Sequence, residues 1–260
     1  MSTTHISHVD FGKYFALKQR AYLINISEER DREQYESLSG TIVSSSGNSI
    51  ALQIPYATEQ ASPDNGTQQT TFKLTSEFMG SGIQIMADLD KVTANNVFHL
   101  SLRNGLEMYQ RREKPRVDVT IKIFQIRRDS SLAVYRKEFK RIMDSMKTLG
   151  VRPTLTLQES SINISAGGMR TAIEASEPIS PLSMFFLELA EDQPLVCAVA
   201  ELVWSRREEE KLLCGYRFVQ IRKSDQERIS RYVMSRYKNQ GITAPGSKPY
   251  WDLLDRMTNE

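Results

Sequence analysis

Val117-Asp118-Val119-Thr120-Ile121-Lys122-Ile123 alternates apolar and polar side chains without a break. Because successive side chains of a β-strand point to opposite faces of a sheet, this alternation predicts a strand with one buried and one solvent-facing side. Short strand-like runs occur on both sides of it along most of the chain. The sequence therefore predicts a mainly β protein.

Six short strand-like segments precede this stretch, at 20–26, 41–43, 50–54, 71–78, 83–87 and 97–102. The turn-rich residues 44–48 separate the second segment from the third, which is typical of a hairpin. A polar, turn-rich segment at 57–70 reads as a loop. Short strands at this spacing favour a small antiparallel β-barrel, which we assign to residues 1–108.

Strand-like segments resume beyond residue 150, at 154–157, 162–164, 169–173, 182–189, 195–204 and 213–221. Two helices interrupt or follow them. Apolar residues at steps of three and four predict an inserted amphipathic helix near 132–149, and a capping box at Ser224-Asp225-Gln226-Glu227 opens a carboxy-terminal helix. We therefore predict a second antiparallel barrel at 109–240, closed by that last helix, and a tail at 241–260.

Composition excludes several classes of protein. The 260 residues include 34 basic and 32 acidic side chains, so no strong field attracts a nucleic-acid polymer. No apolar run is long enough to span a membrane, and the amino terminus does not resemble a signal peptide. These features predict a cytoplasmic protein without membrane insertion. Cys197 and Cys214 read as reduced core residues.

No pattern of catalytic or metal-binding residues stands out. The sequence has no nucleophile elbow, no phosphate-binding glycine loop and no zinc-type spacing. His5, His8 and His99 lack a partner at ligand spacing. We expect neither an enzyme nor a bound cofactor or metal.

Two polar motifs flank the central strand. Arg111-Arg112-Glu113-Lys114-Pro115-Arg116 comes directly before it and holds three guanidinium groups, which suit phosphate oxygens and the Hoogsteen edge of guanine. Asn163-Ile164-Ser165-Ala166-Gly167-Gly168 places a carboxamide and a hydroxyl two residues apart, so that both point the same way in an extended chain. The glycine pair then turns the backbone. Together these groups suit an anionic ligand that bears guanine.

Arg112-x-x-x-Arg116 followed by Asn163-x-Ser165-x-x-Gly168 resembles the signature of PilZ domains, the bacterial receptors for cyclic di-GMP. The resemblance extends over about 111–240, including the Gly215-Tyr216-Arg217-Phe218 segment and the final helix. The first hundred residues are similar to the amino-terminal barrel of flagellar brake proteins, which precedes a PilZ domain in that family.

This chain departs from the family pattern in two places. The motif halves are separated by 46 residues, from Val117 to Ile162, which is more than usual, and the inserted helix accounts for the surplus. We expect this helix to provide an added surface, because its apolar face must pack against something. The second departure is Asn163, where the family more often has Asp.

The resemblance implies a cyclic di-GMP site formed by Arg111, Arg112, Arg116, Asn163, Ser165 and Gly168. Asn163 and Ser165 would read one guanine, and Gly168 would let the backbone approach the ligand. Binding would order the arginine segment between the barrels and reorient them, and a protein partner would receive the signal. The flagellar motor is one candidate partner, and the output is motility or surface attachment. Arg111, outside the paired arginines, would bridge two stacked ligands.

Two other functions are compatible with the sequence. A scaffold of the same fold that binds no ligand would use the 132–149 helix and the tail to contact proteins. A single-stranded nucleic-acid binder is disfavoured, because the charge is near neutral and no basic strand face carries aromatic residues.

Overall fold

The computed structural model describes residues 10–26, 33–56, 70–109, 115–149 and 155–239. Arg111, Arg112 and the predicted tail at 241–260 lie outside these residues, as does most of the predicted loop at 57–70. The described chain forms thirteen strands, two α-helices and two short 3₁₀-helices, the latter at Phe11–Tyr14 and Ala94–Asn96. The predicted mainly β class is confirmed.

The first barrel is a closed ring of six antiparallel strands. Its strands follow the order β1-β4-β5-β6-β3-β2 around the ring, and β1 pairs with β2 to close it. A seventh strand, β7 (Glu107–Tyr109), pairs with β5 outside the ring. The six ring strands are β1 (Arg20–Asn25), β2 (Gln34–Ser46), β3 (Ser49–Gln53), β4 (Thr71–Phe78), β5 (Ser81–Thr93) and β6 (Val97–Leu102).

The predicted hairpin between β2 and β3 is present and its turn is tight. Ser46 pairs with Ser49, so only Gly47 and Asn48 form the loop. Gly47 has a φ of +57°, in the left-handed region that glycine adopts without a steric penalty. The predicted turn at 44–48 contains this loop but is too long, because 44–46 belong to β2. The sequence also started β2 too late, because residues 34–39 are largely polar.

The second barrel is also a closed ring of six antiparallel strands. The order is β13-β10-β9-β8-β11-β12, and β12 pairs with β13 to close it. Helix α1 (Leu132–Leu149) is inserted between β8 and β9, and helix α2 (Lys223–Asn239) follows β13. The strands are β8 (Val117–Arg127), β9 (Gln158–Ser165), β10 (Gly168–Glu174), β11 (Leu182–Glu188), β12 (Val196–Glu208) and β13 (Lys211–Arg222).

Helix α2 packs on the core of the second barrel, as predicted. Ile229 and Val233 are buried in the same apolar cluster as Phe185 and Phe218. The helix begins at Lys223, one residue earlier than the predicted cap at Ser224. Asp225 in its first turn is buried and pairs with two arginines, Arg222 at 2.9 Å and Arg228 at 2.8 Å, which satisfies its charge.

The two barrels share one continuous sheet. The first residues of β2 pair with β13 of the second barrel, with Tyr35 opposite Ile221, while the rest of β2 pairs with β1 and β3. Backbone hydrogen bonds therefore run directly from one barrel to the other. This sheet joins the barrels directly and is not a flexible connection between them.

The apolar face of α1 is covered inside the chain. Phe139 is fully buried, and the helix packs against the outer face of the second barrel where the first barrel meets it. Strand β11 is consequently buried at every position, because its inner side chains fill the barrel and its outer ones lie under α1. The predicted need of this apolar face to pack against something is therefore met within the chain. The cluster around it includes Leu132, Tyr135, Met143, Leu182, Met184, Phe186, Cys197 and Val199.

A buried polar network also joins the barrels. Glu201 of β12 is 2% exposed and accepts hydrogen bonds from the hydroxyls of Ser39 and Tyr56, the latter at 3.3 Å. Arg20 of β1 pairs with the same carboxylate at 3.3 Å. Burial raises the pKa of Glu201, and these hydrogen bonds and charges oppose that rise only in part.

Cys197 and Cys214 are free and buried, as predicted. Among the described residues, no helix is long and apolar enough to cross a bilayer.

Candidate functional site

The described end of the first motif half leads into a strand that pairs with the strand of the second half. Arg116 is exposed and comes directly before β8, which pairs with β9 so that Val117 faces Ile164 and Asp118 faces Asn163. Arg116 and Asn163 are far apart in sequence, but they lie near the ends of paired strands. This is possible because the chain leaves the sheet through α1 and returns next to β8 as β9. Arg111 and Arg112 belong to the segment that the structure does not describe.

Asn163 stands in the middle of a polar row on the outer face of the second barrel. It faces Asp118 on β8 and Arg170 on β10. The Nδ2 of Asn163 donates to Oδ1 of Asp118 at 3.0 Å, and a terminal nitrogen of Arg170 donates to the same oxygen at 3.1 Å. The row thus presents a carboxamide between an acid and a base.

A shallow cleft of about 380 Å³ runs along this row. Its lining includes Asp118, Asn163 and Arg170, other polar and apolar residues of the same three strands, and Leu213 of β13. Groups that can accept and donate hydrogen bonds meet there over the surface of a sheet. Such a surface suits a flat polar ligand more than a deep apolar one.

The row continues to an aromatic side chain. Arg170 faces Gly215 on β13, and Gly215 faces Trp204 on β12. A Cβ at position 215 would lie 2.9 Å from Cδ1 of Trp204 and closer still to its Nε1, so the indole lies directly across the glycine. Trp204 is 43% exposed.

Ser165 has hydrogen-bond partners within its own turn. It pairs with Gly168 across the β9–β10 hairpin, and its hydroxyl donates to the Gly168 carbonyl at 3.2 Å. The same oxygen accepts from the Gly167 amide at 3.4 Å, and the side chain is 2% exposed. The structure therefore gives Ser165 a role in closing the turn, and its contact with a ligand stays a prediction.

Gly168 is required by close packing against β13. A Cβ at this position would lie 3.0 Å from Cα of Arg217 and closer still to the carbonyl oxygen of Tyr216. Any larger residue would push the turn away from β13. The absence of a side chain here serves the fold, whether or not a ligand also approaches the backbone.

Helix α2 holds the backbone at the entrance to β8. The hydroxyl of Tyr237 donates to the carbonyl oxygen of Arg116 at 2.7 Å. This contact fixes the point at which the arginine segment meets the second barrel. Gln226 of the same helix donates to the carbonyl of Ala166 at 3.1 Å, so α2 supports both motif halves.

Sequence reasoning missed Asp118, Arg170 and Tyr237. Asp118 and Arg170 are ordinary polar positions of alternating strands, and only the strand register shows that they flank Asn163. Tyr237 lies far from Arg116 in sequence, and no periodicity links them. Within the described ranges, no group of three or more His, Cys, Asp or Glu side chains is placed to hold a metal ion.

Residues 110–235 match the family model of the PilZ domain. The chain carries a PilZ domain. Both motif halves lie inside the matched residues, and the predicted resemblance is confirmed. The PilZ domain spans the second barrel from the arginine segment into α2. No curated protein matches the chain.

Several solved structures are similar to this chain at low identity. The Bacillus subtilis inhibitor of motility, MotI/DgrA, is 16% identical, covers 86% of this chain and 98% of its own, with a TM-score of 0.35. YcgR from Escherichia coli in complex with c-di-GMP is 12% identical and covers 85% of each chain, with a TM-score of 0.33. The K. pneumonia MrkH–c-di-GMP complex is 14% identical and covers 86% of this chain and 90% of its own, with a TM-score of 0.31. Each alignment extends beyond the PilZ domain into the first barrel.

Proposed function

We propose that this protein is a cytosolic receptor for cyclic di-GMP that regulates motility or surface attachment through a protein partner. One observation carries the proposal. In a PilZ domain, Arg116 comes directly before β8, and β8 pairs with β9, the strand that carries Asn163 and Ser165.

The chemistry of the residues supports an anionic ligand. Arg116 is exposed, and Arg111 and Arg112 add two guanidinium groups within the same six residues. Cyclic di-GMP carries two phosphates, and each charge-assisted contact contributes about 1.5–3 kcal/mol. Asn163, Ser165 and Gly168 complete the proposed site, with Asn163 offering a carbonyl acceptor to a guanine.

The response to the ligand is constrained by how the barrels are joined. Ordering of the arginine segment leaves the Tyr35–Ile221 pairing and the Glu201 network intact. Reorientation of the barrels requires both to break or exchange partners. Small-angle X-ray scattering with and without ligand separates these responses, because only reorientation changes the scattering profile at intermediate angles.

Arg111 is proposed to set the stoichiometry. Arg112 and Arg116 complete the paired signature, which leaves Arg111 to stack on the guanine of a second, intercalated ligand. Calorimetry should give about two ligands per chain, falling toward one in Arg111→Leu. A ratio of one in the wild type contradicts the stacked pair.

A scaffold that binds no ligand is the second candidate. Asn163 in place of the usual Asp favours it, because a neutral amide is a weaker acceptor than a carboxylate. The burial of the apolar face of α1 counts against the part of this hypothesis that uses that helix.

Titration calorimetry with cyclic di-GMP tests the receptor function. We expect Arg112→Ala and Arg116→Ala to lose binding while their melting temperatures stay near that of the wild type. Arg141→Ala is the matched control, since Arg141 is an exposed arginine of α1 whose side chain is 69% exposed. GTP and an oligonucleotide serve as competing ligands. Wild-type affinity in either of the first two variants overturns the assignment.

A further inference from the structure

Asp118 is the hydrogen-bonding partner of Asn163, which stands at a position where the family more often has Asp. The Nδ2 of Asn163 donates to Oδ1 of Asp118 at 3.0 Å, and Arg170 donates to the same oxygen at 3.1 Å. Among the described residues, none hydrogen-bonds the other oxygen, Oδ2. An acid is therefore present beside position 163, although it comes from the neighbouring strand.

Stability does not account for this arrangement. The side chains of Asp118 and Arg170 are 76% and 44% exposed. Ion pairs exposed to this degree contribute little to folding, because water and salt screen them. The trio lines a cleft that includes Asn163 of the proposed site, which points to a role in ligand recognition.

The hydrogen-bond donors of guanine explain why an acid beside Asn163 matters for recognition. The Watson–Crick edge of guanine offers two adjacent donors, N1–H and the N2 amino group. A carboxylate accepts both, whereas a carboxamide accepts one with its carbonyl and opposes the other with its own NH₂ group. In this structure the NH₂ group of Asn163 donates to Asp118, so the carbonyl oxygen of the amide is the group that can accept from a guanine.

We propose that Asp118 and Asn163 together form a composite acceptor for guanine, an inference that rests on the proposed receptor function. Oδ1 of Asn163 accepts one of the two donors, and Oδ2 of Asp118 accepts the other. Asp118 also holds the Asn163 amide in the orientation that this requires. The pair replaces the single carboxylate that the family more often has at this position.

The direction in which the affinity for cyclic di-GMP changes when the charge of Asp118 is removed distinguishes a direct contact from simple repulsion. Cyclic di-GMP is a dianion, so an acid nearby weakens its binding by repulsion if the acid makes no contact. Removal of the charge of a non-contacting acid should leave affinity unchanged or increase it. Removal of the charge of Asp118 should decrease it, because a charge-assisted hydrogen bond to the guanine is lost.

Titration of four proteins with cyclic di-GMP and cyclic di-AMP tests the proposal. We expect Asp118→Asn to bind cyclic di-GMP at least about tenfold more weakly than the wild type. Its preference over cyclic di-AMP should fall in parallel, since adenine lacks the N1–H donor. The double variant Asp118→Asn/Asn163→Asp should return to within about threefold of the wild type, because it keeps one acid and one amide in exchanged places.

Glu159→Gln is the matched control, because Glu159 is an exposed acid on β9, four residues before Asn163. It should bind cyclic di-GMP as tightly as the wild type or more tightly. Melting temperatures of all variants should lie within a few degrees of the wild type. The inference is overturned if Asp118→Asn binds at least as tightly as the wild type, or if the double variant stays as weak as Asp118→Asn. An absence of cyclic di-GMP binding in the wild type overturns the receptor function as well, which distinguishes the two failures.

Discussion

The guanidinium of Arg217 lies 3.5 Å from the centre of the Tyr22 ring, across the junction between the two barrels. Arg217 belongs to β13 of the second barrel and Tyr22 to β1 of the first. A terminal nitrogen of Arg217 also donates to the Tyr35 hydroxyl at 3.2 Å, and Arg217 stands opposite Glu201 in the strand register. One cation therefore contacts an aromatic face and a hydroxyl of the first barrel beside a buried carboxylate of the second.

Arg217→Met is expected to destabilise the protein by about 2 kcal/mol or more, because a desolvated cation–π contact is lost and the buried Glu201 loses a nearby positive charge. Urea unfolding measures the change. Lys13→Met is the control, since Lys13 lies 5.1 Å from the Tyr14 ring centre and is exposed. Its effect should stay within about 0.5 kcal/mol. Equal small effects of both substitutions would show that the junction contact is not stabilising.

Glu201→Gln is expected to gain stability relative to the wild type as the pH rises. Burial raises the pKa of Glu201 above its ordinary value of 4.5. The folded state therefore holds this proton more tightly than the unfolded state, so the contribution of Glu201 to stability is present below pH 4.5 and is lost as the pH rises through the raised pKa. Glutamine does not titrate.

Melting temperatures of the two proteins between pH 4 and 8 check this prediction. The difference between Glu201→Gln and the wild type should increase across the range. A difference for Glu201→Gln that is flat or decreases with pH would contradict the buried position of this carboxylate.

Gly168→Ala is expected to destabilise the fold by about 3 kcal/mol, because its Cβ would overlap the β13 backbone at Tyr216. Gly80→Ala provides the comparison. Gly80 has a φ of +82° and no atom within 4 Å of an added Cβ, so its cost is backbone strain alone, about 1 kcal/mol. Chemical denaturation of both variants measures the two costs. Similar values would mean that the turn moves away from β13 without penalty.

Tyr237→Phe is expected to weaken cyclic di-GMP binding by about fivefold while the melting temperature changes little, because one neutral hydrogen bond to the Arg116 carbonyl is lost. In the proposed site this hydroxyl positions Arg116 through its backbone carbonyl. Tyr232→Phe is the matched control on the same helix, since its hydroxyl accepts only from Arg236 at 3.3 Å among the described residues. Calorimetry should show wild-type affinity for the control. Unchanged affinity in Tyr237→Phe would exclude the positioning role.

Much of the architecture is readable from local patterns. The alternation at Val117–Ile123 marks a half-buried strand, and the spacing of Tyr135, Phe139 and Met143 marks an amphipathic helix. Both elements are present at these positions. The motif halves around Arg116 and Asn163 were also visible, because each is a short run of residues whose chemistry is independent of the rest of the chain.

The features that the sequence did not predict all depend on which strands and helices pack against each other. Periodicity shows that α1 has an apolar face, but only the packed structure shows that β11 and the barrel junction cover it. The alternation of β8 shows that Asp118 faces away from the core, but its place beside Asn163 depends on the register of strands separated by an 18-residue helix. The preference of a residue for a helix or a strand, and for a buried or exposed face, depends mainly on its neighbours along the chain. Its partner is selected by the closure of both rings and the shared β2–β13 pairing, which involve residues far apart in sequence.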